Sequence, residues 1–352
     1  MNLRSNAIAL ADWLAVRSGA AHLLHRTHGG LGCAFMFHSV VRSTEEWLHQ
    51  DIRFPERALD DLLTLCRRQG IDIVNTDEAL LRLRNRVPAP FVVFTFDDGY
   101  RDNLQRVLPL FERHGAKFSV FVTTGMIDRT LDYWWGGLLD LVKRHETIDA
   151  APLGLRLSTR THREKERALR RLTRWVEADV DARTPTLASL FRQYGVSATD
   201  RLNDDALSFE ELRQLARSPL VTIGGHTVTH RPLATLNDAE AVRDIGENRR
   251  FLEEAIDREV AHFAFPHGDA AACSPRTAAL LKAEGFRSGY STRKGSLFPE
   301  HAAAPFLLPR GAMNPRRADV VHFQAQLAGL HRWLVDPAGS PFDPETISIE
   351  YQ

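Results

Sequence analysis

Two short stretches carry the residue types that hydrolytic chemistry needs. Residues 95–100 read TFDDGY and residues 226–230 read HTVTH. Asp97 and Asp98 are neighbouring carboxylates at the end of an apolar run, FVVFTF, that suits a buried strand. Like charges side by side repel, and burying either one unpaired is costly, so something at that strand end must want negative charge. Successive strand side chains point to opposite faces, which gives the two acids different tasks. His226 and His230 are four apart, so on a helical turn both imidazoles face one way. Two imidazoles and one carboxylate form a three-ligand set for a catalytic divalent ion, with a position left open for water. Asp98 supplies the carboxylate in this reading and Asp97 stays free as a base, while Gly99 allows the tight turn that follows. An HxxxH spacing among 15 histidines arises easily by chance, and Asp-Asp-Gly alone is a common turn. Their joint placement at strand ends is what favours a metal site.

The elements that must position these groups follow a regular rhythm. Strand-like runs fall at 32–38, 71–74, 91–96, 117–123, 219–224, 259–265, 286–291 and 305–309, seven or eight in all. Helical patterns lie between them, stopping at Gly70 and Gly115, and Ser208 with Glu211 makes a capping box. Such alternation means parallel βα units, either doubly wound or closed as a barrel. Functional groups in these folds gather at the C-terminal strand ends. His38, Asp97, Asp98, His226, His267 and Arg310 all stand at such ends. Residues about 129–207 break the rhythm with charged helical sequence and no apolar strand run, so they read as a helical insertion in a barrel spanning 31–315. Residues 1–30 read as one amphipathic helix, and 316–352 as a terminal helix and polar tail.

The 352 residues suffice for one large barrel or two ordinary domains. Lys+Arg and Asp+Glu are both 45, so no global field points to nucleic acid as a partner. Cys33, Cys66 and Cys273 are scattered, fitting neither a disulfide framework nor a thiolate zinc site. No apolar run is long enough for a membrane span. The first apolar stretch is interrupted by Asp12 and Arg17, which argues against a signal peptide and leads us to expect a cytoplasmic enzyme.

With TFDDGY and HTVTH in place, the chain resembles the polysaccharide deacetylases, the NodB-homology domain of carbohydrate esterase family 4. MFHSV at the first strand, DYWW after the TFDDGY unit and FAFPHG extend the resemblance over roughly 31–315. It implies a distorted (β/α)7 barrel that removes N-acetyl or O-acetyl groups from a sugar, oligosaccharide or polysaccharide precursor. It also implies a divalent ion, Zn2+ first, with Co2+ or Mn2+ as alternatives. By position, Asp97 is the general base, Asp98, His226 and His230 hold the metal, and the Tyr100 N–H helps hold the oxyanion. Pro266 and Leu308 fall in the motifs that line the family's substrate groove.

The motifs depart from the better-known members in three places. An Arg-Pro-Pro-Tyr-Gly-like motif is replaced by Ala264-Phe265-Pro266-His267-Gly268. The fourth motif's aspartates and tryptophan are missing from SGYSTRKGS, and its Leu-x-His motif reads Leu308-Pro309-Arg310. Arg310 cannot act as an acid near neutral pH, but it can pair with Asp97 in place of the missing arginine. The general acid then falls to His38 or His267, with His38 preferred. Tyr133, Trp134 and Trp135 offer rings for stacking on a sugar or for packing the insertion. Two other readings stand beside the sugar deacetylase: an amide or imide hydrolase acting on a small non-sugar substrate, and a glycan-binding barrel without catalysis.

Overall fold

The residues of 91–96 are all completely buried, as expected of a parallel strand covered on both faces. This strand is the centre of the architecture. The computed structural model describes residues 3–42, 48, 52–313, 318–337 and 340–342. One sheet contains β1 (Gly32–Phe37), β2 (Asp72–Ile73), β3 (Phe91–Asp98), β4 (Phe118–Val122), β5 (Val221–Gly225), β6 (His262–Ala264), β7 (Ser288–Tyr290) and β8 (Gly311–Ala312). All pairings in it are parallel, in the order β7-β6-β5-β4-β3-β1-β8, with the two-residue β2 added on β3.

The chain segment around β8 reaches both edges of this curled sheet. Leu308 forms a bridge to Tyr290 of β7, and Gly311 and Ala312 pair with Phe35 and Met36 of β1. The result is a distorted (β/α)7 barrel. The last strand expected at 305–309 thus lies a few residues later, at Gly311–Ala312.

Side-chain alternation sorts β3 into two layers. Phe91 and Val93 pack inside the barrel with Ala34, Phe121, Ala264 and Tyr290. Val92, Phe94 and Phe96 face the surrounding helices, where Phe94 and Phe96 stack against Phe37 and meet Phe111 edge-on. Thr95 and Asp97 continue the inward series.

The insertion contains helices Trp134–Arg144, His162–Glu177, Val180–Gln193 and Ala198–Asp205 around its own core of Leu138, Leu141, Leu169, Leu172, Leu190 and Leu202. It also holds an antiparallel pair, Thr147–Ala150 with Leu155–Ser158, that its charged sequence did not announce. Its end is stitched to the turn after the paired acids: Arg101 N–H donates to the Asp205 carbonyl and Leu207 N–H to the Gly99 carbonyl.

Both termini differ from the single helices expected. Leu3–Arg17 and Ala20–His28 are two helices, separated at the left-handed Gly19, and Val320–Leu327 and Leu330–Val335 are separated at the left-handed Gly329. The first helix buries Asp12, which accepts from His322 Nδ1 at 2.7 Å and His331 Nε2 at 3.0 Å. The polar tail expected at the end falls largely on 343–352, outside the described residues.

Candidate active site

β3 ends at the mouth of the barrel, and its last two residues take different partners. Asp97 is buried and receives a bidentate pair from Arg310, Nη1 to Oδ1 at 2.7 Å and Nη2 to Oδ2 at 2.8 Å. Arg310 itself is fully buried, where Nη1 also donates to Thr95 Oγ1 and Nε to the Ser291 carbonyl, both at 3.0 Å. Its guanidinium lies 5.6 Å from the Phe121 ring centroid. Burial alone would raise the Asp97 pKa, but Arg310 and then His226 outweigh it and hold the carboxyl below its usual range.

Alternation by itself would turn Asp98 towards the helix layer. Instead Asp98 adopts a φ of 77°, a left-handed conformation that aspartate tolerates better than most residues, and Gly99 follows at 94°. This brings both carboxylates to one cavity. Asp98 Oδ1 is buried without a hydrogen-bond partner, 3.4 Å from His226 Nε2 and 3.2 Å from His230 Nε2. Those separations match the edge of a tetrahedron around a zinc-sized ion, about 3.3 Å for bonds near 2.0 Å. Burial would raise Asp98 too, yet His230 and His226 hold it well below the usual carboxylate range. His226 Nδ1–H donates to the Ala264 carbonyl at 2.7 Å, which fixes the tautomer and leaves Nε2 free to face Asp98. An orphaned carboxylate oxygen, a preset imidazole and a second imidazole fit a divalent ion well.

The two histidines do not share a helical turn. Residues 226–230 form a loop after β5 in which Thr227 and His230 both have positive φ, 63° and 56°. Convergence comes from this strained loop, and two side chains on helix Asp238–Ile256 hold it. Asp244 accepts from the N–H groups of Val228 and Thr229 and from Thr229 Oγ1 at 2.6 Å. Asn248 Oδ1 accepts from His226 N–H, and its Nδ2 donates to the carbonyls of Val122 and Thr227. Sequence reasoning missed both residues. Their signal was a polar pair four apart on the same buried face as Ala241, Ile245 and Leu252.

A family model described as polysaccharide deacetylase matches residues 84–167 and 175–288. The chain belongs to the polysaccharide deacetylase family. Its members are hydrolases acting on carbon–nitrogen bonds of polysaccharides. No curated protein matches the chain. Among solved structures, the deacetylase fold is shared with IcaB from Ammonifex degensii, at 18% identity and a TM-score of 0.55 over 85% of this chain and 99% of that one. It is also shared with the Streptococcus pyogenes deacetylase PplD in complex with acetate, at 16% identity and 0.54 over 80% and 92%. The deacetylase domain of BpsB from Bordetella bronchiseptica aligns at 16% and 0.50 over 81% and 96%.

In this deacetylase the acids and histidines open into a cavity of about 770 Å³. His38, half-buried just past β1, and His267, at a left-handed φ of 60° beyond β6, both line it. Desolvation lowers the His38 pKa, opposed by Asp98 and Asp97. His267 is pushed down to about 4, by desolvation and then by His230 and His226. Its ring centroid is 5.2 Å from that of His230. The insertion supplies the facing wall through Trp134, Trp135, Thr173 and Val180, and the Trp135 ring lies 5.3 Å from His230. Tyr133 is buried and donates to Asp205, so it packs the insertion and does not line the cavity.

The side chains of two expected groove residues, Leu308 and Pro266, lie away from the cavity, and Tyr100 has only its backbone to offer. Leu308 is completely buried among the barrel-interior side chains, because its strand closes the sheet. Pro266 is buried and lines nothing, while its neighbours Phe265 and His267 do. The Tyr100 ring is buried too, its hydroxyl accepting from Trp135 Nε1 at 3.1 Å. The Tyr100 backbone is another matter. Gly99 and Arg101 spend their C=O and N–H on the insertion, so antiparallel geometry turns the Tyr100 N–H the opposite way.

Proposed function

We propose that this enzyme hydrolyses the N-acetyl group of an amino-sugar unit in a glycan, with a divalent ion held by Asp98, His226 and His230. The observation that carries the reading is the division of labour at the end of β3: Asp97 is clamped by Arg310, and Asp98 faces two imidazole nitrogens. When bound there, a divalent ion supplies Lewis acidity that lowers the pKa of water and polarises an acyl oxygen. Asp97, kept ionised and oriented by Arg310, accepts a proton as water adds to the acetyl carbon. The Tyr100 N–H, on the side of the backbone away from the insertion, is the donor assigned to the oxygen on which negative charge develops. His38 then gives a proton to the nitrogen as the C–N bond breaks, leaving acetate and a free amine. Burial lowers the pKa of both histidines. At His38 the next strongest influences, Asp98 and Asp97, offset part of that lowering, whereas at His267 the next strongest, His230 and His226, add to it, so His38 suits this step better. The tight Arg310–Asp97 pair also favours catalysis over mere glycan binding, since a binding barrel gains nothing from an oriented base.

The test is acetate release after metal stripping and reconstitution with Zn2+, Co2+ or Mn2+. Substrates are N-acetylglucosamine oligomers, an O-acetylated xylan and a simple non-sugar acetamide. Release confined to the N-acetylated oligomers and dependent on added metal supports the proposal. Preference for the acetamide or the ester, or turnover indifferent to chelation, refutes it.

A further inference from the structure

The terminal helices carry large apolar side chains outwards as well as inwards, where Ala15, Val16, Ala21 and Leu24 pack with Ala325 and Leu330. Among the described residues nine large hydrophobic side chains are exposed, and seven of them lie on helices Leu3–Arg17, Ala20–His28 and Leu330–Val335. They are Leu10, Trp13, Leu14, Leu23, Trp333, Leu334 and Val335. Leu10, Trp13 and Leu14 have the i, i+3, i+4 spacing of one helical face, and Arg17 extends that face by another turn. The buried side of the same helix carries Asp12, held by His322 and His331. A helix packed only for the barrel would do the reverse, turning its leucines and tryptophan inwards. The three helices adjoin: Leu330–Val335 packs on Ala20–His28, and its His331 reaches Asp12. The exposed apolar side chains are thus carried by helices packed on one another.

We infer that this face docks on an anionic lipid surface. Solvent-facing tryptophan and leucine beside arginine are what a helix lying in the headgroup region uses, the rings and chains entering the acyl boundary and the cations meeting phosphates. Among the described side chains of the two N-terminal helices, the exposed charged ones are Arg17 and Arg26, and the one acid, Asp12, is buried. That charge pattern complements an anionic surface. It opposes a two-fold dimer through the same face, which would set like arginines near one another. No helix among the described residues is long and apolar enough to cross a membrane, so the contact is peripheral. His28 lies four residues before β1 begins, so the chain passes from these helices into the barrel at the strand ends opposite the catalytic mouth, and none of the seven exposed side chains lines the cavity.

The experiment is sedimentation of the full chain with vesicles of phosphatidylcholine alone and of an equimolar mixture with phosphatidylglycerol. The chain is expected to sediment with the mixed vesicles and to remain in solution with the neutral ones. The double variant Trp13→Glu/Leu14→Glu should lose about tenfold or more of that binding. Arg17→Glu/Arg26→Glu should lose it comparably, in proportion to salt-sensitive attraction. All four side chains are exposed, so thermal melting and acetate release from a soluble oligosaccharide should not change. The inference is overturned if the chain stays in solution with both vesicle types. It is equally overturned if both variants sediment like the parent, or if light scattering shows a dimer that Trp13→Glu/Leu14→Glu splits.

Discussion

Arg310 forks onto Asp97 across 213 residues of sequence, joining the segment that leads into β8 to the end of β3. Both side chains are buried, though Asp97 also borders the cavity. The pair sets the orientation of one carboxylate at the site's mouth, and it leaves the adjacent carboxylate available for metal.

Breaking that pair has a predictable signature. Arg310→Gln leaves Asp97 buried without its cation, at a stability cost of roughly 3–5 kcal/mol. Asp97 is held low mainly by Arg310 working against burial, so the variant's Asp97 pKa rises. A base with a raised pKa stays protonated to higher pH, and the acidic limb of kcat/KM should therefore move up. Arg310→Lys keeps the charge but not the fork, and should recover stability better than rate. An unmoved acidic limb in both variants would show that Asp97 is not the base.

The two acids should separate cleanly by mutation. Asp98→Ala, His226→Ala and His230→Ala each remove one of three ligands and should abolish tight divalent binding. Asp97→Asn should retain metal and fold while losing roughly 10²–10⁴ in kcat. Metal content measured on the purified variants decides it: loss of metal from Asp97→Asn would mean the roles are exchanged.

Asp244 touches no reacting atom, yet three of its hydrogen bonds hold the loop between the two histidines. Asp244→Ala should weaken metal affinity by roughly 10–100-fold, the usual worth of support behind a ligand shell. Rate at saturating metal should recover substantially. If affinity were unchanged in a competition titration with a chelator, the loop would owe its shape to other contacts.

His38 and His267 can be told apart by their pH profiles. His38→Gln should lose both rate and the alkaline limb of kcat/KM, since above its pKa the imidazole has no proton to give the leaving amine. His267→Gln should keep that limb and change mainly KM, as befits a residue on the cavity rim. The opposite pattern would make His267 the acid, and two unaltered profiles would leave neither histidine in that role.

The candidate site residues were legible in the linear sequence because each is a polar group stationed where an apolar strand ends. FVVFTFDDGY declares a buried parallel strand whose final acids need partners, and the alternation around it declares the α/β barrel. Even the Arg310–Asp97 pairing could be read, since an arginine at the end of the last strand had one unpaired acid within the same rim to meet. Short-range pattern suffices for such features because strand burial and helix capping depend on neighbours a few residues away.

What remained hidden depended on backbone angles and on contacts across the fold. Asp98 reaches the two histidines through a left-handed φ that strand alternation would not supply, and the histidines converge through a strained loop where spacing suggested a helical turn. Leu308 turned from groove residue to core residue because the closing strand lies a few positions later than its apolar run suggested. Asp244 and Asn248 looked like ordinary polar positions on a helix until that helix was set against the loop they support. The outward face of the first helix was invisible for the same reason. Apolar residues run all round that helix, and only packing decides which of them meet the protein and which the solvent.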